Sequence, residues 1–152
     1  MIKDKTYKVP CIYPIKNFKQ SGEVLKVSVP GSKSITNRAL LLATLAEGKS
    51  ILKGVLFSDD SRHFLKCIQE LGFETKIDEE NCVVEVTGCG GIVPKKEACP
   101  YVGSAGTAAR FLSAYLGVCE GTYHMDASEQ MRKRPMAPLL ESLKELGCEI
   151  SF

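Results

Sequence analysis

The chain of 152 residues has no tryptophan, only two histidines and 7% aromatic residues. Its net charge of +2 argues against a nucleic-acid-binding protein that works by bulk electrostatics. No apolar run approaches the roughly 20 residues that cross a bilayer, and the first ten residues lack the apolar core of a signal peptide. With 44% hydrophobic and 25% charged residues, we expect a globular cytoplasmic protein.

The seven cysteines give no sign of a disulfide framework or a zinc site. Their number is odd, no two are spaced as C-x-x-C, and only His63 and His124 could add imidazole ligands. We expect reduced thiols that serve as small apolar side chains. The chain also lacks a Ser/His/Asp set in a recognisable context, so hydrolase chemistry is not supported.

Residues 30–38, Pro-Gly-Ser-Lys-Ser-Ile-Thr-Asn-Arg, stand between an alternating apolar run and a continuous one. The alternation over 24–29 predicts a strand, which Pro30 and Gly31 end. A helix follows over 34–46, capped by Ser32 or Ser34. Lys33 and Arg38 then join the open N–H groups of the helix start, where anions bind. The Walker A spacing is absent, so we predict a different site for a phosphorylated small molecule.

Two further turns carry the same equipment. Residues 103–110, Gly-Ser-Ala-Gly-Thr-Ala-Ala-Arg, offer N–H groups at Gly106 and Thr107, with Arg110 one helical turn later. Residues 131–135, Met-Arg-Lys-Arg-Pro, form a basic loop before another predicted helix. If the three turns meet at one rim, they suit a substrate with several phosphate or carboxylate groups. The alternatives are helix starts selected for packing and a solvated basic loop.

An approximate internal repeat organises the chain. Segment 67–74 resembles 142–149, and segment 39–48 resembles 111–121, which indicates a duplicated unit of order β-α-β-α-β-β. For the first unit we predict strand 24–29, helix 34–46 ended by Gly48, strand 50–56, helix 59–71 capped by Ser58 or Asp59, and a hairpin of 73–77 with 82–87. For the second we predict a short strand near Tyr101 and Val102, helix 105–118, strand 122–125, a helix beginning at Pro135, and a strand from Cys148 to Phe152.

Three expectations concern what surrounds these elements. The helix from Ala39 to Ala46 is apolar on all sides except at Thr44, so we expect it to be buried on every side. We expect Met136, Leu139, Leu140, Leu143 and Leu146 to form the buried face of the last helix. The second unit lacks the hairpin that closes the first, which leaves a strand edge unpaired. We therefore expect a chain that is cut short, or one that completes its sheet with another chain.

Three motifs, taken in order, resemble the amino-terminal part of the 5-enolpyruvylshikimate-3-phosphate synthases: PGSKS with Asn37-Arg38-Ala39, Gly103–Thr107 with Arg110, and Arg134-Pro135. The resemblance runs from about Glu23 to the end. It implies an enzyme that moves the enolpyruvyl group of phosphoenolpyruvate to the 5-hydroxyl of shikimate 3-phosphate and releases phosphate, in the shikimate pathway of aromatic amino acid biosynthesis. It also implies a tetrahedral intermediate and no metal or organic cofactor.

The resemblance assigns roles residue by residue. Lys33, Ser34 and Arg38 would bind shikimate 3-phosphate; Lys33, Gly106 and Arg134 would bind phosphoenolpyruvate; Thr107 and Arg110 would line the same region. The implied fold is an inside-out α/β barrel of repeated βαβαββ units with central helices. Residues 1–22 would belong to another, missing domain, and residues 23–152 would form a partial domain with unit one at 23–90 and a truncated unit two at 91–152.

The implied catalytic acid and base residues are absent from this chain, so we expect it to be inactive alone. Two departures from the family pattern are Ser104, where many members have asparagine, and the divergent loop 128–132, which leaves Glu129 unassigned. One alternative is the related UDP-N-acetylglucosamine enolpyruvyl transferase, which has Lys-Asn in place of Lys33-Ser34 and a cysteine in the loop before Arg134. Another is a non-catalytic anion-binding module.

Overall fold

The structure, a computed structural model, describes residues 28–151. The first half of this range forms a three-stranded antiparallel sheet packed against helices. The sheet has the order β1-β3-β2, and β3 pairs with both neighbours. Helix α1 packs against the sheet, and α2 packs against α1. The elements of this half are α1 (Lys33–Leu45), β1 (Glu47–Lys53), α2 (Asp59–Glu70), β2 (Glu74–Asp78) and β3 (Val83–Cys89).

Serine caps begin both helices of the first half. Ser32 accepts a hydrogen bond from the Ile35 N–H at 3.4 Å, and Ser58 accepts one from the Ser61 N–H at 3.3 Å. Each cap satisfies one of the N–H groups that a helix start leaves open. Gly72 follows α2 with a φ of +95°, a conformation that favours glycine and ends the helix as predicted.

The second half is a βαβ arrangement with a short parallel sheet. Strands β4 and β5 pair in parallel on either side of α3, and two further helices follow. The predicted strand at Tyr101 is reduced to a single bridge with Asp126, because regular pairing occurs four residues earlier. The elements are β4 (Glu97–Ala98), α3 (Gly106–Gly117), β5 (Thr122–Tyr123), α4 (Glu129–Arg132) and α5 (Ala137–Glu145).

One apolar core joins the two halves. Leu40 of α1, Phe64 of α2 and Leu112 of α3 are fully buried in it, together with Val84 and Val86 from the inner face of β3. Burying a side chain of this size contributes roughly 1.5–3 kcal/mol. Because α1, α2 and α3 pack against one another here, their first turns have fixed positions relative to each other.

Several expectations about helix surroundings are wrong. Helix α1 is not buried on every side, since Ile35 is 69% exposed and Leu42 is 64% exposed. Only one face of α1 meets the sheet and the neighbouring helices of residues 28–151. It also ends at Leu45, with Ala46 as its C-cap in place of Gly48, because β1 already begins at Glu47.

The last helix begins later than predicted and buries less. Pro135 does not start it: Met136 is the N-cap, and the proline inside the first turn is Pro138. Of the predicted apolar face only Leu143 is buried, and Leu146 is 81% exposed because α5 packs mainly against α3. In the described part of the chain residues 148–151 form no strand, and Phe152 lies outside it.

The predicted strand 24–29 lies mostly outside the described residues, and Ser28 and Val29 belong to no strand. The strand predicted at 50–56 is β1, three residues earlier at both ends. The hairpin of 73–77 with 82–87 is confirmed as β2 and β3, with Glu74 opposite Thr87. Within residues 28–151 the strands form two separate sheets and no closed barrel.

Candidate functional site

The starts of the first three long helices lie close together. Lys33, the first residue of α1, forms an ion pair with Asp60 in the first turn of α2, with 3.1 Å between Nζ and Oδ2. One turn further along α2, the imidazole of His63 lies against Gly103, where a Cβ atom would collide with the ring. Gly103 belongs to the turn before α3 and has a φ of +56°. The first two turns of α2 thus stand between the two glycine-rich turns.

A close backbone approach fixes the turn before α1. A Cβ atom on Gly31 would collide with the carbonyl oxygen of Gly54, so this position accepts only glycine without a backbone shift. The buried hydroxyl of Thr36 accepts a hydrogen bond from the Leu56 N–H at 3.1 Å. These contacts hold the start of α1, and with it Lys33 and Ser34, against the segment that follows β1.

The start of α3 differs from the serine-capped starts of α1 and α2. Its N-cap is Ala105, which has no side-chain oxygen to accept a hydrogen bond from the first turn. The N–H groups of Gly106 and Thr107 therefore have no side-chain cap, and they lie at the positive end of the helix dipole. Such a helix start favours an anionic ligand.

Two guanidinium groups lie beside Gly106. A Cβ atom built on Gly106 would be 2.7 Å from Nη1 of Arg134 and 3.0 Å from Nη1 of Arg110. The absence of a side chain at Gly106 thus leaves room for both cations at the open helix start. The structure thus brings Gly106 and Arg134 together, and Thr107 is the next residue of the same helix turn.

The basic loop is held against α3 by several hydrogen bonds. The Ser128 N–H donates to the Gly103 carbonyl at 3.0 Å, and the hydroxyls of Ser104 and Ser128 are 2.9 Å apart. Met131 is buried, with its sulfur near the Gly106 position. Ser128 also caps α4 by accepting from the Met131 N–H. These contacts show that Ser104 fixes the loop that carries Arg134.

Arg38 links α1 to α3. Its Nη1 donates to the Ser34 carbonyl at 3.0 Å, and its guanidinium carbon lies 5.5 Å from the centre of the Phe111 ring. Arg38 and Lys33 therefore belong to one exposed surface at the start of α1. Within residues 28–151 no hydrogen bond or ion pair joins Lys33 directly to Gly106 or Arg134.

Ion pairing divides the arginines of the described residues into two groups. Arg62 pairs with Glu79, and Arg132 pairs with Asp126 at 2.6 Å. Among the described residues no carboxylate pairs with Arg38, Arg110 or Arg134. Three arginines without counter-charges near two helix starts produce a positive potential that attracts anions.

The acidic groups nearby are occupied. Asp60 pairs with Lys33, and Glu129 pairs with Lys133 at 3.0 Å on an exposed surface. Asp126 accepts a hydrogen bond from Arg132, which lowers the pKa of Asp126, and the Ala127 N–H lowers it further. No group of three or more His, Cys, Asp or Glu residues in the range 28–151 is arranged to hold a metal ion.

Sequence reasoning missed the contacts of Asp60 and Phe111. Both contacts join residues of different helices, which no local pattern encodes. The only available signal for Asp60 was its place in the first turn of a helix, close to where basic turns were expected to gather.

The geometry defines a class: a mixed α/β domain in which helix starts, a lysine and arginines without carboxylate partners among the described residues lie close together. Residues 17–152 match the sequence profile of EPSP synthase (3-phosphoshikimate 1-carboxyvinyltransferase). The chain belongs to this family.

Individual relatives agree. The chain is 47% identical over 126 residues to the 3-phosphoshikimate 1-carboxyvinyltransferase of Trichormus variabilis, which covers 83% of this chain and 30% of the relative. It is 49% identical over 123 residues to that of Rhizobium etli, covering 80% and 29%. The chain thus spans about 30% of the length of the curated relatives that it matches.

Solved structures share the fold. The EPSP synthase of Acinetobacter baumannii superposes with a TM-score of 0.75 at 27% identity, over 82% of this chain and 28% of that one. An enolpyruvyl transferase of Streptomyces tendae shows the same fold with a TM-score of 0.54 at 22% identity, over 79% and 26%. In residues 28–151 no helix combines the length and the apolar character that a membrane crossing requires.

Proposed function

We propose that this chain supplies part of the substrate site of an enzyme that transfers the enolpyruvyl group of phosphoenolpyruvate to the 5-hydroxyl of shikimate 3-phosphate. In this proposal Lys33, Ser34 and Arg38 bind shikimate 3-phosphate. Lys33, Gly106 and Arg134 bind phosphoenolpyruvate, and Thr107 lines the same place. The assignment rests on family membership and on the positions of these residues at neighbouring helix starts.

The observation that carries the proposal is the group of unpaired arginines beside the uncapped start of α3. Both substrates are anions, so bringing them together costs electrostatic repulsion that fixed cations and N–H dipoles offset. Paired arginines such as Arg132 would have to leave a carboxylate first. Arg38 and Arg134 have no such partner among the described residues, so they are free to bind an incoming phosphate or carboxylate.

Lys33 is the one proposed ligand that already has a counter-ion. Its ammonium group is half exposed and pairs with Asp60, whose side chain is one quarter exposed. A compact ammonium on a flexible stem can turn from a carboxylate to a phosphate while staying near both. Lys33 is therefore suited to contact both substrates, as proposed.

The architecture proposed with this function is an inside-out α/β barrel in which residues 23–90 and 91–152 are two βαβαββ units, the second incomplete. Residues 1–22 would belong to the other domain. A free strand edge would then be covered by further sheet, either of the parent protein or of another chain. The exposed apolar face of α1, with Ile35 and Leu42, supports this proposal, because a central helix needs neighbours on that side. We also propose a cytoplasmic location.

Calorimetry of the chain with shikimate 3-phosphate tests the proposal. We expect measurable binding that falls at least tenfold in Lys33→Ala, since one charge-assisted hydrogen bond contributes about 1.5–3 kcal/mol. Lys49→Ala is the matched control, because Lys49 also pairs with a single carboxylate, Glu85 at 3.3 Å, but lies on β1. Equal affinities of the two variants would contradict the assignment of Lys33.

Turnover tests whether the reacting groups lie within this chain. We expect the chain alone to release no phosphate from phosphoenolpyruvate in the presence of shikimate 3-phosphate, because it spans about 30% of its relatives. Binding without turnover is the expected result. Enolpyruvyl transfer by the purified chain would overturn the proposal that the reacting groups lie outside residues 1–152.

A further inference from the structure

We propose that Arg110 is a positioning residue that holds Arg134 at the start of α3, and not itself a ligand of the substrate. This inference rests on the proposed function of Gly106 and Arg134. It assigns a different role to a residue that the sequence analysis placed only in the lining of the site.

The hydrogen bonds of Arg110 are directed at the backbone. Its Nη1 donates to the Gly106 carbonyl at 3.0 Å, and its Nη2 donates to the Pro135 carbonyl at 3.1 Å. One guanidinium thus connects the first turn of α3 to the residue directly after Arg134. A planar guanidinium with donors in a fixed fork can join two carbonyls in this way, whereas an ammonium group has no second nitrogen to span them.

The bond to Pro135 acts on the segment between α4 and α5, in which Met136 packs against the core. Residues 133–136 lie between the end of α4 and the start of α5, and Arg134 is exposed. The Arg134 N–H donates to Met131 at 2.9 Å, a contact within the same loop. The Arg110–Pro135 hydrogen bond joins α3 to this segment, and in this proposal it sets how closely Arg134 approaches Gly106.

Arg110 also adds a positive charge beside Gly106, although its own donors bind carbonyl oxygens. The Nη1 atoms of Arg110 and Arg134 both lie within 3.0 Å of the same point above Gly106. Two adjacent cations repel each other, and the bonds from Arg110 to two carbonyl oxygens stabilise its own charge in that place. The Arg134 guanidinium, which has no carboxylate partner among the described residues, is then the group left to bind an anion.

A double-mutant cycle distinguishes a positioning role from a ligand role. We compare wild type, Arg110→Lys, Arg134→Lys and the double variant by calorimetry with phosphoenolpyruvate. We expect Arg110→Lys to weaken binding about tenfold although it keeps the positive charge. The double variant should bind no more than about twofold more weakly than Arg134→Lys, because Arg110 acts through Arg134.

An independent readout needs no ligand. In the free chain, Arg110→Lys should shift the backbone amide resonance of Gly106 and the side-chain Nε–H resonance of Arg134, whereas Arg132→Lys should leave both unchanged. Arg132 is a suitable control because its hydrogen bonds go to Asp126 and Ala127. Urea unfolding of both variants checks that the chain remains folded.

The outcomes separate the two proposals. If wild type does not bind phosphoenolpyruvate while the two resonances shift as expected, the proposed function fails and the positioning role stands. Any of three results overturns the positioning role. The first is an affinity of Arg110→Lys for phosphoenolpyruvate within twofold of wild type. The others are a double variant whose loss of affinity is the product of the two single losses, and unchanged resonances of Gly106 and Arg134 in Arg110→Lys.

Discussion

The guanidinium of Arg38 lies over the ring of Phe111, with 5.5 Å between the guanidinium carbon and the ring centre. Arg38 belongs to α1 and Phe111 to α3, so this contact joins the two helices that follow the glycine-rich turns. It also directs the Arg38 side chain, whose Nη1 hydrogen bonds to the Ser34 carbonyl. An arginine that is held without a carboxylate keeps its full charge for a ligand.

Replacing the ring tests this relationship. We expect Phe111→Leu to weaken shikimate 3-phosphate binding about two- to fivefold, because an exposed cation–π contact contributes roughly 0.5–1 kcal/mol. Calorimetry measures the change. Phe57→Leu is the matched control, since Phe57 lies 5.6 Å below Arg62, which is paired with Glu79 and outside the proposed site. Equal losses of affinity in both variants would contradict a role for Phe111 in holding Arg38.

A methyl group at Gly106 should affect binding more than stability. In Gly106→Ala the new Cβ meets the ends of two flexible side chains, Arg134 and Arg110, which can move away. We expect the free energy of unfolding to change by less than about 1 kcal/mol, because alanine also favours the helix. Phosphoenolpyruvate binding should weaken about tenfold, the effect of losing one charge-assisted hydrogen bond.

Gly117→Ala is the control for Gly106→Ala, since Gly117 ends the same helix and its Cβ would meet only the Cys148 and Leu143 side chains. Calorimetry should show unchanged affinity for this variant. A Gly106→Ala chain that unfolds far more easily than wild type, or binds as tightly, would contradict the geometry at the start of α3.

Gly31→Ala should destabilise the chain strongly. Its Cβ would collide with the backbone carbonyl of Gly54, which cannot rotate away as a side chain can. We expect a loss of about 2–3 kcal/mol in the free energy of unfolding, measured by urea denaturation, as for an overpacked core. Gly54→Ala should cost only about 1–2 kcal/mol, because its φ of +73° strains alanine but no atom lies within 4 Å. The reverse order would be inconsistent with this close approach.

The buried thiol of Cys67 predicts a loss of stability at alkaline pH. Burial raises the pKa of Cys67 to about 12, with a smaller contribution from Glu70. In an unfolded chain a thiol has a pKa of about 8.5. Below that pH the thiol is neutral in both states, so its contribution is fully present. As pH rises above it, the unfolded chain releases a proton that the folded chain keeps, and stability falls until pH passes the folded pKa.

Urea unfolding between pH 7 and 10 measures this slope. We expect Cys67→Val to flatten it by at most about 1.4 kcal/mol per pH unit. Cys99→Ser should leave the slope nearly unchanged, because Cys99 is exposed. An identical slope in Cys67→Val and wild type would show that Cys67 does not titrate differently in the two states.

Local patterns predicted the helices around the site well. Ser32 and Ser58 cap their helices as expected, Gly72 ends α2, and the hairpin of β2 with β3 forms with the predicted pairing. These features depend on hydrogen bonds within a few residues, which a sequence shows directly. The beginning of α5 was predicted wrongly because Pro135 satisfies the local rule for a first helical residue, yet its carbonyl is bound by Arg110 from another helix.

The sequence by itself determined which residues could bind an anion: Lys33, Gly106 and Arg134 follow from turn and helix-start chemistry that is local in the chain. Only the tertiary structure decided which cations are available. Packing of α1, α2 and α3 pairs Lys33 with Asp60, brings Arg134 beside Gly106, and leaves Arg38, Arg110 and Arg134 without carboxylates among the described residues. Ion pairing depends on distances of a few ångströms between segments far apart in the chain, and those distances arise only when the core forms.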